Sequence, residues 1–128
     1  MNSMVKILLL FAAGGAGALS RFGLSAMVGR YFTSPEWLGT AIVNIIGCLC
    51  FGGIAEMFRI GGWCPAARTV ILTGFFGAFT TFSTYMYEIA GMSAGGAAWQ
   101  AGLGFATQNI LGLCGIFLGA AVARCLMG

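Results

Sequence analysis

Four long apolar stretches constrain this chain more than any other feature: about 5–28, 38–58, 70–92 and 98–127. Each approaches or exceeds the ~20 residues that a helix needs to cross bilayer hydrocarbon. A single segment in lipid must satisfy its own backbone, so helix is the conformation open to each of them. The expected fold is an all-α membrane protein with one domain over residues 1–128 and four transmembrane helices. The chain is 59% hydrophobic and only 7% charged, a balance with too few charges to cover a water-soluble surface. The breaks between stretches read as turns. "RYFTSPEW" (30–37) holds a proline and interfacial aromatics, "FRIGGWCPAAR" (58–68) holds two glycines and a proline, and "GMSAGGAAWQ" (91–100) is small and glycine-rich.

The first stretch also fits a signal peptide, with Lys6 ahead of "ILLLFAA" and small residues near Ala16 and Ala18. The apolar character continues well past any cleavage point, which favours a retained span. Four spans place both termini on one side, with Lys6, Arg59, Arg68 and Arg124 there and Arg30 opposite. The positive-inside rule then puts the termini in the cytoplasm, with a bias small enough to allow insertion both ways.

The charged residues form no basic cluster, which excludes a nucleic-acid footprint. There is no histidine to act as general base or metal ligand, and the five cysteines contain no CxxC pair. Twenty-two glycines point to close helix contacts, most of them plain packing.

A few residues are not explained by packing alone. Arg21 lies within the first stretch, where a charge either snorkels to the interface or faces a water-filled vestibule that concentrates anions. Thr40 and Asn44 share a helix face, so Asn44 either bonds a neighbouring helix or lines a path with its amide. Asn109, with Phe105 and Gly112 on its face and Gln108 beside it, carries the same two readings. Glu88 falls near the end of the third stretch, at the interface or in a pore mouth.

The run "GFFGAFTTFSTYMYE" (74–88) puts polar residues at the centre of the third stretch. Phe75, Phe79 and Phe82 follow helical spacing, as core stripes do, and Phe82 and Tyr85 are i and i+3. Gly74 and Gly77 give freedom to break a helix, and Thr80, Thr81, Ser83 and Thr84 can heal the backbone that a break exposes. Exposed carbonyls suit a hard cation, while helix N-termini, hydroxyl hydrogens and aromatic ring edges suit an anion. The third helix is therefore expected to break near its centre, making an anion path without fixed charge around a small structural cation.

Three segments, "GGAGALSRF" (14–22), "GTAIVNIIG" (39–47) and "TGFFGAFTTFSTY" (73–85), in this order, resemble the Fluc/CrcB family of bacterial fluoride channels. The resemblance implies a small four-span protein of the bacterial inner membrane, forming an antiparallel, dual-topology homodimer. It implies passive and highly selective fluoride export through two pores that draw on both subunits. Phe82 and Tyr85 then match the aromatics whose ring edges contact fluoride, Asn44 the pore-lining asparagine, and Ser83 and Thr84 the nearby hydroxyls. Gly77 and Thr80 match break positions whose backbone carbonyls hold a central structural sodium ion. Arg21, Thr40 and Glu88 match vestibule positions, and Asn109 falls where the family often has a polar residue. Tyr85 stands where the family usually has phenylalanine, and the one-sided charge leaves a heterodimer with an oppositely inserted paralogue open.

Physics alone does not choose fluoride over chloride. Two other classes compete on composition. A small multidrug-type, proton-coupled exporter would need a membrane-buried acid in its first span, where this chain has Arg21. A membrane thiol enzyme would need a reactive cysteine pair, and Cys48 and Cys50 point to different sides of a helix.

Overall fold

The computed structural model describes residues 2–32 and 37–128, which places the expected turn around Pro35 outside the described residues. Helix α1 spans Ser3–Tyr31, α2 Leu38–Gly61, α3 Pro65–Arg68, α4 Gly77–Phe79, α5 Phe82–Ala94 and α6 Ala98–Met127. Between α3 and α4 the segment Thr69–Phe76 is wound as a π-helix.

Three of these helices, α1, α2 and α6, are long and apolar enough to cross a membrane. The stretch 70–92 is not a single spanning helix. It is divided by Thr80 and Thr81, whose backbones are extended at φ −83°, ψ 156° and φ −143°, ψ 115°. The break falls where the glycines and hydroxyls predict it.

Local signals set the helix ends. The Asn2 side chain accepts the Met4 N–H at 3.2 Å and caps α1. Helix α2 stops at Gly62, whose φ of 59° is left-handed and readily adopted only by glycine. Arg30, Arg59 and Arg124 lie in the last turns of α1, α2 and α6, beside unpaired carbonyls.

Helices α2 and α6 run side by side in the same direction. Asn44 meets Gln108, Cys48 meets Gly112, and Gly52 meets Ile116. Small residues allow this: a methyl group at Gly119 would collide with the Leu49 carbonyl, and one at Gly52 with the Ile116 carbonyl. The same device seats α1 on the π-helical segment, where a methyl at Gly17 would meet the Phe75 carbonyl. Glu56 ties the far ends of α2 and α6 together, accepting from Arg59 at 2.8 and 2.7 Å and from Arg124 at 3.1 Å.

The apolar core is Val43, Leu72, Phe76 and Phe79. Phe75 and Phe79 stack at 5.8 Å and belong to this side of the break. Phe82 does not continue their stripe, because the extended pair interrupts the helical period; it is 73% exposed. Helix α1 buries only Gly17 and Val28, so most of its apolar surface faces outward.

Candidate functional site

The site is the break and what repairs it. A helix that stops leaves its last carbonyls unpaired, and one that starts leaves its first N–H groups unpaired. Thr80 closes the first half by donating from its N–H and its hydroxyl to the Phe76 carbonyl, at 3.0 and 2.9 Å. Thr81 opens the second half: its hydroxyl oxygen accepts the Thr84 N–H at 3.3 Å and its proton goes to the Thr84 hydroxyl at 3.0 Å.

Asn44 repairs the middle from across the interface. Its Oδ1 accepts the Thr81 N–H at 2.8 Å, and its Nδ2 donates to the Thr81 carbonyl at 3.1 Å. One side-chain amide thus pairs with both backbone groups of one extended residue, as a neighbouring strand would. The second Nδ2 hydrogen goes to Gln108 Oε1 at 3.0 Å, so the amide has no free donor in this arrangement. The interhelical reading of Asn44 describes these contacts, and the amide also forms part of a cavity wall.

Two cavities meet at Thr81. One, of about 220 Å³, is lined by Asn44, Cys48, Thr80, Thr81, Phe82, Tyr85, Gln108 and Asn109. The other, of about 290 Å³, is lined by Ala18, Arg21, Phe22, Ser25, Thr40, Thr81 and Thr84. Most of the predicted residues are therefore divided between two chambers that share Thr81. Phe82 and Tyr85 face each other edge to face, with centroids 5.9 Å apart. Arg21 shares its chamber with four hydroxyl side chains, which places it at a cavity wall. Glu88 lines neither chamber; it accepts the Thr40 hydroxyl at 2.7 Å and so reaches the second one through that side chain. Ser83 and Gly77 line neither.

Gln108 is noted beside Asn109 in the sequence but not singled out as a site residue. It is buried, it orients Asn44, and its Nε2 has no hydrogen-bond partner. A signal was present. Gly104, Gln108, Gly112, Gly115 and Gly119 fall on the buried face of α6, and a lone amide in a stripe of glycines has to meet something polar.

Among the described residues the five cysteines are all free, and no group of three or more His, Cys, Asp or Glu side chains is placed to hold a metal. Cys48 is half-buried and Cys50 exposed, on different sides of α2, so they are not a reactive pair.

These features define a small, multi-pass helical membrane protein with a polar, glycine-flanked interruption between two chambers. The profile of the family described as "CrcB-like protein, Camphor Resistance (CrcB)" matches residues 8–120. A relative from Maridesulfovibrio salexigens is 42% identical over 125 residues, 97% of this chain and 99% of its own. One from Nitratidesulfovibrio vulgaris is 44% identical over 94% of this chain and 98% of its own. One from Solidesulfovibrio magneticus is 43% identical over 93% of this chain and 96% of its own. Each of the three is named "Fluoride-specific ion channel FluC". The chain belongs to the CrcB-like family.

Proposed function

We propose that this protein is a fluoride channel, not an enzyme, which lets toxic fluoride leave a bacterial cell passively across the inner membrane. The observation that carries the reading is the pair of chambers that share Thr81 in their walls, lined by hydroxyls, amides and aromatic rings, with Arg21 at the wall of one. The donors left over on that lining, among them the aromatic ring edges, the Thr84 hydroxyl and the unpartnered Nε2 of Gln108, can replace part of a small anion's water without trapping it on a fixed charge. Fluoride is chosen by the relatives' names, not by the geometry. A proton-coupled exporter has less support: Glu56 is held by two arginines and Glu88 by Thr40.

In this reading the divided segment Pro65–Ala94 counts as the fourth span, and the working unit is an antiparallel, dual-topology homodimer with two pores. The exposed Phe82 and the outward surface of α1 are what a second copy would cover. Phe82, Tyr85, Asn44, Thr84 and Thr40 form the path, Arg21 and Glu88 stand at its vestibule, and Asn109 acts beside Tyr85; Ser83, which lines neither chamber, would reach the path only in the dimer.

A structural sodium ion fits the same break. Regular winding would give the Gly77 carbonyl to the Thr81 N–H, which turns instead to Asn44. The Gly77 and Thr80 carbonyls are hard oxygen donors at the negative end of a half-helix, suited to a small cation. Two from each protomer would hold the ion at the dimer centre, where it supplies positive charge and joins the subunits. Replacing sodium by potassium in a thermal melt of the purified protein should lower its melting temperature. Occupancy at a hundred times the dissociation constant adds about 2.7 kcal/mol to stability. A melt indifferent to the cation would remove the site.

The channel reading is tested by ion efflux from liposomes holding only this protein, followed with fluoride and chloride electrodes. Fast fluoride loss with chloride retained, dependent on a potassium shunt to balance charge, is the expected result. If well-folded protein passes no fluoride alone but does so with a co-expressed paralogue, the homodimer is replaced by a heterodimer; no flux in either case overturns the channel.

A further inference from the structure

Tyr85 is only 4% exposed, and a phenol so deeply placed must find partners for its hydroxyl. It finds two on α6. The hydroxyl donates to the Phe105 carbonyl at 3.2 Å and accepts from Asn109 Nδ2 at 2.6 Å. Asn109 Nδ2 also donates to the Phe105 carbonyl at 2.8 Å, which closes a triangle. The phenol has one proton and the amide nitrogen two, and all three are used. No O–H or N–H of this pair remains for an anion. The amide oxygen of Asn109 is an acceptor, which an anion avoids. What Tyr85 contributes to the cavity wall is its ring, stacked on Phe105 at 6.1 Å and 21° and set edge to face against Phe82.

We propose that Tyr85 and Asn109 form a lock: Asn109 is a positioning residue that holds the phenol, and the anchored hydroxyl fixes the position and tilt of the ring facing the ion path. The inference rests on the fluoride-channel reading. A phenylalanine here would have no polar anchor on its far end and would depend on packing alone for its orientation. The hydroxyl is therefore an anchor toward α6 and not a ligand for the ion.

The test is a cycle of four proteins in liposomes: the parent chain, Tyr85→Phe, Asn109→Leu and the double variant, each read for fluoride efflux, chloride efflux and melting temperature. Tyr85→Phe removes both bonds of the hydroxyl, whereas Asn109→Leu removes the shorter one and leaves the bond to the Phe105 carbonyl. Tyr85→Phe should lose roughly fivefold in fluoride efflux, Asn109→Leu no more than that, and the double no more than Tyr85→Phe alone. The fluoride-to-chloride ratio should fall in all three, which a merely structural contact would not produce. Losses that multiply in the double variant overturn the lock, because they mean that the hydroxyl and the amide act on the ion independently. Unchanged flux and selectivity in Asn109→Leu also overturn it. Should Asn109→Leu fail to fold, Asn109→Ser removes the same donor with less bulk. Should the parent chain carry no fluoride, the channel reading fails by itself. The melts still decide the lock: non-additive losses support it, and additive ones overturn it.

Discussion

Replacing Asn44 by leucine should abolish fluoride efflux and lower the melting temperature sharply. Leucine keeps the volume and removes three hydrogen bonds at once, leaving the Thr81 N–H, the Thr81 carbonyl and Gln108 Oε1 without partners. A fully buried group left unpaired costs about 1–3 kcal/mol, and for these part-buried groups the low end applies. Their sum is still a sizeable fraction of the ~5–15 kcal/mol that holds a typical domain folded. Gln108 makes the loss worse, since its Nε2 is already unpartnered. Asn44→Asp tests the chamber wall. Its carboxylate can still accept the Thr81 N–H, but its second oxygen faces two acceptors, the Thr81 carbonyl and Gln108 Oε1, so the melt should fall as well. It also puts negative charge on the wall of the chamber that holds Phe82 and Tyr85, so anion efflux should still stop. A leucine variant that melts like the parent would show that Asn44 does not hold the break. An aspartate variant with parental flux would remove that chamber from the ion's route.

Gly119→Val should prevent stable assembly of the bundle. Its Cβ would strike the Leu49 carbonyl and crowd the Gly53 N–H, and both are backbone atoms that cannot rotate away. Relief requires α2 and α6 to move apart along the seam that carries Asn44 and Gln108. Overpacking of this kind costs about 1–3 kcal/mol or more. A melting temperature lower by on the order of 10 °C is expected, or loss of purifiable protein. Gly102→Ala is the matching control, because nothing lies within 4 Å of its added carbon. It should melt at or slightly above the parent, since alanine is the better helix former. Equal damage from both substitutions would mean that the α2–α6 contact is not as close as described.

The π-helical winding of Thr69–Phe76 precedes the break directly. Windings of this type collect at functional sites because they shift the register of the residues that follow. Nothing in the composition of that segment announces it, since its residues would suit an ordinary helix.

The amino-acid sequence by itself determined the class of protein and the place of its interruption. Apolar runs of spanning length leave lipid as the solvent, and glycines beside threonines in one such run mark where a helix can open and be repaired; Thr80 and Thr81 are extended where that pattern points. It also put Thr40 and Asn44 on one face, because helical period is a local property. Only the tertiary structure decided which groups those faces meet. That Asn44 bonds both sides of Thr81, that Gln108 orients Asn44, that Thr40 holds Glu88, and that the Tyr85 hydroxyl turns to Asn109 all depend on helices far apart in the chain. A buried amide or hydroxyl must find a partner, but its own sequence neighbourhood does not say which helix supplies one. The stripe of Phe75, Phe79 and Phe82 shows the same limit from the other side. Its period is helical in the sequence, yet two extended residues place Phe79 in the core and leave Phe82 outside it.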